Sequence, residues 1–142
     1  LSNDFAKVIK IFPDLQLVIE HLGGLGRFNR NQQKHTESPN QEFEKILELA
    51  RHPNLTIKLP GFGEFCPVPL PFNSIPPLVD KTLEAFGPQR IMWGSDYPPV
   101  SQREGYNNSL KIPMNYLSSL SKNEKEWIFG RTALKTWSFE KS

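Results

Sequence analysis

Three short apolar runs recur along the chain at nearly equal intervals, each followed by a turn and then a helical pattern. They are Leu15-Gln-Leu-Val-Ile-Glu20, Leu55-Thr-Ile-Lys-Leu59 and Arg90-Ile-Met-Trp-Gly94, with Leu17, Leu55 and Ile91 spaced 38 and 36 residues apart. Parallel strands need a crossover of a dozen or more residues, so strand, loop, helix, strand at this period predicts a parallel βαβ array. The nearly unbroken apolar centre of the first run predicts a strand covered on both faces. Three parallel strands alone leave bare edges. The half-sheet is therefore expected to be completed either by further chain or by association into a homo-oligomer.

The helical segments are legible from their periodicity and punctuation. Phe5, Val8, Ile9 and Phe12 recur at helical spacing after Ser2 and Asn3, and Pro13 stops them. Residues 29–41 are polar and predict a surface loop. Ser38, Pro39 and Gln41 have the pattern of a capped helix start, and Phe43, Ile46, Leu47 and Ala50 give that helix one apolar side. Residues 60–77, rich in Pro, Gly and Phe, are too long for a mere connector and predict a long barrel-type loop or a lid. Leu78, Val79, Leu83 and Phe86 define a further helix, closed by Gly87. Ser121-Lys-Asn-Glu124 reads as a capping box before the apolar positions Trp127, Ile128, Ala133, Leu134 and Trp137.

Composition narrows the function classes. The 142 residues make one domain, 1–142, and opening at Leu1 inside a helical pattern suggests a piece of a longer chain. A formal charge of +2 is too small and too scattered for a nucleic-acid or anionic-membrane partner, and no apolar run reaches the length of a membrane span. A single cysteine, Cys66, excludes an internal disulfide and a cysteine-based zinc cluster. With no leader in these residues, the expected compartment is the cytoplasm, and the expected partner is a small molecule.

In a β/α array, functional side chains collect at the carboxyl ends of the strands. That rule selects His21 after the first run, Lys58 to Gly61 at the second, and Asp96 after the third. An imidazole and a carboxylate on one rim can share a divalent cation or form a base and its partner for proton transfer. Lys58 and Arg27 are candidate contacts for a carboxylate-bearing substrate. Trp93 and Tyr97 flank Asp96 and are candidate pocket walls, with Trp93 reading equally well as a core residue.

Val18-Ile-Glu-His-Leu-Gly-Gly24, Asn54-Leu-Thr-Ile-Lys-Leu59 and Phe86-Gly-Pro-Gln-Arg-Ile-Met-Trp-Gly-Ser-Asp-Tyr-Pro98 follow in the order seen in the amidohydrolase-related (amidohydrolase 2) family of metal-dependent TIM-barrel hydrolases. The closing Glu126-Trp-Ile-Phe-Gly-Arg-Thr-Ala-Leu134 also resembles that family's last helix. The family includes lactonases acting on sugar lactones and on pyrone dicarboxylate, and its cousins include aminocarboxymuconate-semialdehyde decarboxylase. The resemblance implies an α/β fold, the C-terminal portion of a (β/α)8 barrel, with about three βα units plus terminal helices. The three runs would be its sixth, seventh and eighth strands. It implies Asp96 as the eighth-strand aspartate that activates water or binds a metal, zinc being the expected ion. It implies His21 as the sixth-strand histidine, which holds the metal or polarises the scissile carbonyl.

The chain departs from the family pattern at four places. The first-strand His-x-His has no counterpart among His21, His35 and His52. Glu20-His21 stands where members commonly read Asp-His, Lys58-Leu-Pro-Gly61 where they often read Lys-x-Ser-Gly, and Thr132-Ala133 where they often read Asn-Ala. The expected activity is hydrolysis of a lactone or related cyclic carboxylate ester by activated water. The alternatives are a decarboxylase of the same superfamily and a non-catalytic, truncated barrel.

Overall fold

The computed structural model describes residues 2–24, 39–66, 70–72, 75–137 and 139, with backbone only at 2–4, 39 and 40. Three strands, β1 (Leu17–Ile19), β2 (Leu55–Pro60) and β3 (Ile91–Gly94), form a parallel sheet in the order β1-β2-β3. Leu17 pairs with Leu55 and Ile19 with Ile57; Ile57 then pairs with Ile91 and Pro60 with Gly94. The predicted period thus translates into parallel strands, with Leu17 level with Leu55 and Ile91 level with Ile57, two residues on.

Helix α1 (Ser2–Ile11) precedes β1, α2 (Pro39–Glu48) lies between β1 and β2, and α3 (Leu78–Phe86) lies between β2 and β3. After β3 come α4 (Tyr106–Tyr116), α5 (Lys122–Glu126), a π-helical turn over Trp127–Arg131 and α6 (Thr132–Thr136). Side chains alternate between the faces of a strand. Leu55, Ile57 and Leu59 of β2 therefore share one face with Ile91, and all four are buried against Val79, Phe86 and Ile128. Lys58, Pro60, Met92 and Gly94 share the other face.

The capping box at Ser121 forms as expected. Its hydroxyl oxygen accepts the Glu124 amide at 3.3 Å, and the Glu124 carboxylate accepts the Ser121 amide at 2.8 Å. The hydrogen bonds hold the Glu124 carboxyl below the usual range. Arg90 belongs to the turn before β3 rather than to the strand. Its guanidinium donates to the carbonyls of Phe86, Ala50 and His52, which fastens the end of α3 to the approach to β2. Desolvation there lowers its pKa.

Three expectations need correction. The first strand is shorter than residues 15–20 and only half-buried, and among the described residues it has a strand neighbour on one side alone. On α1, Ile9 is buried while Val8 and Phe12 are exposed, so only part of its apolar side finds cover. The long loop after β2 begins as packed core: Gly61 to Cys66 are all buried, and Phe62 meets Phe65 at a tilt with centroids 5.1 Å apart and Tyr116 edge-on at 5.4 Å. A lid reading does not fit that part. Ser38, and with it the capped start predicted for α2, lies outside the described residues, as does most of the predicted 29–41 loop.

Candidate functional site

Because the strands are parallel, the loops leaving their carboxyl ends open on one rim. His21 lies two residues beyond β1, Glu64 in the 3-10 turn (Phe62–Glu64) that follows β2, and Asp96 two residues beyond β3. His21 Nε2 stands 3.5 Å from Asp96 Oδ1. One ligand atom from each of His21, Glu64 and Asp96 lies within 4.8 Å of the others. His21 (φ +48°) and Asp96 (φ +58°) both occupy the left-handed region, as does Leu22 (φ +51°). Such conformations cost non-glycine residues on the order of 1 kcal/mol or more and persist where the surroundings over-determine them. Here the completely buried Leu22 anchors one side, and the Asp96 carbonyl accepts the Val100 amide at 3.0 Å on the other.

Behind this rim lies a buried ionic cluster. Arg103 Nη1 donates to Glu64 Oε2, Nη2 approaches Asp96 Oδ2 at 2.9 Å, and Nε faces Glu104 Oε2 at 3.4 Å. The side chains of Arg103, Glu64 and Glu104 are 8%, 9% and 0% exposed. Glu104 Oε1 accepts the Gly63 amide at 3.1 Å. Glycine is needed there for close approach: a Cβ at Gly61 would lie 2.3 Å from the Glu104 carboxylate, and one at Gly63 2.0 Å. Burial, with the Glu104 charge adding to it, pushes the neighbouring Cys66 thiol up to about 12.

The structure joins two of the predicted residues, His21 and Asp96, and gives Lys58, Trp93 and Tyr97 other surroundings. Lys58 is at the rim, but its ammonium donates to Glu20 Oε1 at 2.9 Å and lies over the Trp137 ring at 5.3 Å. Trp93 is on the helix-covered face. Its Nε1 donates to the Ser109 carbonyl at 2.9 Å, and its ring meets Tyr106 and Phe129. Tyr97 is 69% exposed. Arg27 and His35 lie outside the described residues. The residues that sequence reasoning missed are Glu64, Arg103 and Glu104. The available signal was the alternation Gly61-Phe-Gly-Glu64 directly after a strand, where small residues admit a charged group from elsewhere.

The donor chemistry fits a divalent cation. One imidazole nitrogen and two carboxylates are a familiar set for such an ion.

Fold and rim together define a partial β/α barrel. The chain belongs to the amidohydrolase family, whose profile matches residues 1–139. It is 27% identical to L-fucono-1,5-lactonase of Burkholderia multivorans, an alignment covering 96% of this chain and 52% of that protein. An amidohydrolase from Burkholderia multivorans solved with bound zinc superposes with a TM-score of 0.76 at 24% identity, covering 98% of this chain and 49% of that one. A Pseudomonas putida protein assigned as a 2-pyrone-4,6-dicarboxylic acid hydrolase gives a TM-score of 0.61 at 18% identity, covering 99% and 50%. The chain thus spans about half the length of these relatives. Among the described residues, no helix is long and apolar enough to cross a membrane.

Proposed function

We propose that the full-length protein hydrolyses a lactone, or a related carboxylate-bearing cyclic ester, with water activated at the His21–Asp96 rim. The observation that carries this reading is the approach of Asp96 Oδ1 to His21 Nε2 at 3.5 Å, on loops leaving the same end of one parallel sheet. Asp96 accepts a proton at Oδ1 as the water oxygen attacks the carbonyl carbon. The His21 N–H donates to the carbonyl oxygen as that oxygen gains charge. Collapse breaks the ring C–O bond, the proton on Asp96 passes to the departing alkoxide oxygen, and an open-chain hydroxy acid leaves. His21, Glu64 and Asp96 are the residues that would hold a divalent ion, zinc by their donor types. When bound, that ion supplies Lewis acidity to the ester carbonyl. Lys58 is the basic residue proposed to meet a substrate carboxylate, in competition with Glu20.

The likeness to L-fucono-1,5-lactonase supports the choice of ester class. The test is a panel of aldono-1,5-lactones, L-fucono-1,5-lactone included, and 2-pyrone-4,6-dicarboxylate. The full-length protein is assayed with added zinc, proton release is followed with an indicator, and products are identified. We expect ring opening of at least one compound, and in Asp96→Asn a kcat lower by about 10²–10⁴-fold, the usual contribution of a general base, with the folded state retained. Wild-type turnover in that variant removes Asp96 from the reaction. Carbon dioxide release in place of ring opening replaces the hydrolase with a decarboxylase.

A further inference from the structure

We propose that Arg103 is a positioning residue for Asp96: it holds Oδ2 so that Oδ1 is the oxygen presented to His21 and to the reacting water. The inference rests on the reading of Asp96 as the base, and adds a residue and a linkage that the rim motif does not contain. A carboxylate on a loop can turn about its Cβ–Cγ bond, which interchanges its oxygens and sweeps its lone pairs across the rim. Here the two oxygens have separate neighbours, Oδ2 the Arg103 Nη2 at 2.9 Å and Oδ1 the His21 imidazole at 3.5 Å.

Arg103 is itself held on two further sides. Glu64 accepts from Nη1, and Glu104 faces Nε. Glu104 is completely buried and is secured by the Gly63 amide, in a space that exists because Gly61 and Gly63 lack side chains. Support therefore runs from the loop after β2, through Glu104 and Arg103, to the carboxylate after β3. An arginine in an ordinary structural ion pair would have its donors satisfied. Instead Arg103 Nε and Nη2 and Glu104 Oε2 are buried without a well-angled hydrogen bond. Buried polar atoms left in that state are uncommon and mark sites where geometry serves something other than stability. Arginine suits the task because its planar fork reaches several carboxylates from one rigid group, which the single ammonium of a lysine does not do.

The experiment compares the wild type with Arg103→Lys and Arg103→Met in the full-length protein as purified, in two arms. The first arm records the ring-nitrogen and ring-proton resonances of His21 at fixed pH, with the rest of the spectrum reporting the fold. Arg103→Met is expected to shift the His21 resonances while those of β2 and β3 stay in place, and Arg103→Lys to shift them less. The second arm measures kcat and KM on the best compound of the lactone panel. Loss of positioning is expected to lower kcat by about a hundredfold in Arg103→Met, the scale of a misplaced catalytic group, with KM within threefold. Added guanidinium is expected to restore part of that loss.

Unmoved His21 resonances in a folded Arg103→Met protein would overturn the proposal, as would an unchanged kcat. If Arg103→Met does not fold, Arg103→Lys decides by the same two readouts. If the wild type hydrolyses nothing on the panel, the lactone reading fails alone, and the His21 resonances still decide the role of Arg103.

Discussion

Substituting Gly63 by alanine tests whether the ionic cluster is as tightly built as its distances indicate. The new Cβ would stand 2.0 Å from Oε2 and 2.6 Å from Cδ of Glu104. Non-bonded heavy atoms rest about 3.5 Å apart, so the carboxylate must retreat by roughly 1.5 Å. The retreat breaks the 3.1 Å bond from the Gly63 amide and pushes Glu104 against Arg103 in a completely buried position. Overpacking of this kind costs about 1–3 kcal/mol. A lost hydrogen bond to a buried charge costs about 1.5–3 kcal/mol. One displacement relieves the clash and breaks the bond together, so the two do not simply add, and about 3 kcal/mol is the expected total. Urea unfolding supplies the measurement, as a lower midpoint with an unchanged slope. Gly130→Ala is the control: its Cβ would meet nothing within 4 Å in a helical turn, so its midpoint should hold or rise slightly. Equal midpoints for the two variants would show that Glu104 moves freely and would refute the close-packing argument.

Two further predictions concern groups with shifted pKa values. Because Glu124 has its folded pKa lowered by Ser121, the capping box stabilises above the ordinary glutamate range, and its contribution fades as pH falls through that lowered value. Ser121→Ala should therefore lower the melting temperature at neutral pH, with the gap to wild type closing on acidification; a gap independent of pH would contradict this. The Cys66 thiol, raised from 9.0 to about 12, stays protonated in the fold. It should resist a thiol-reactive disulfide reagent at pH 8 until denaturant is added, and its contribution to stability should fall as pH rises from about 9 toward 12.

Most of the fold was legible because hydrophobic period is a local property. Leu17, Leu55 and Ile91 all fall in parallel strands as the period predicts, and the apolar run of β2 is buried on both faces as a parallel central strand should be. The capping box at Ser121 was equally plain, since both partners lie within one turn. The burial of β1 was not, because an apolar run reads alike whether one or two neighbours flank it. Trp93 is a different case: in sequence it reads equally as a pocket wall beside Asp96 and as core, and only its pairing with Leu59 puts it on the helix-covered face.

The sequence by itself determined the parallel array, and hence that His21 and Asp96 would lie on the same rim. Only the tertiary structure decided what surrounds them. Glu64 and Arg103 lie 39 residues apart, and Gly63 and Glu104 lie 41 apart. No periodicity links residues at such separations; they meet because two loops leave neighbouring parallel strands at the same end. The left-handed backbone at His21 and Asp96 is likewise imposed by the packing around those loops, since neither residue type prefers it enough to announce it. Local patterning sets where the strands end, and the burial of one guanidinium among three carboxylates sets how the groups beyond those ends are aimed.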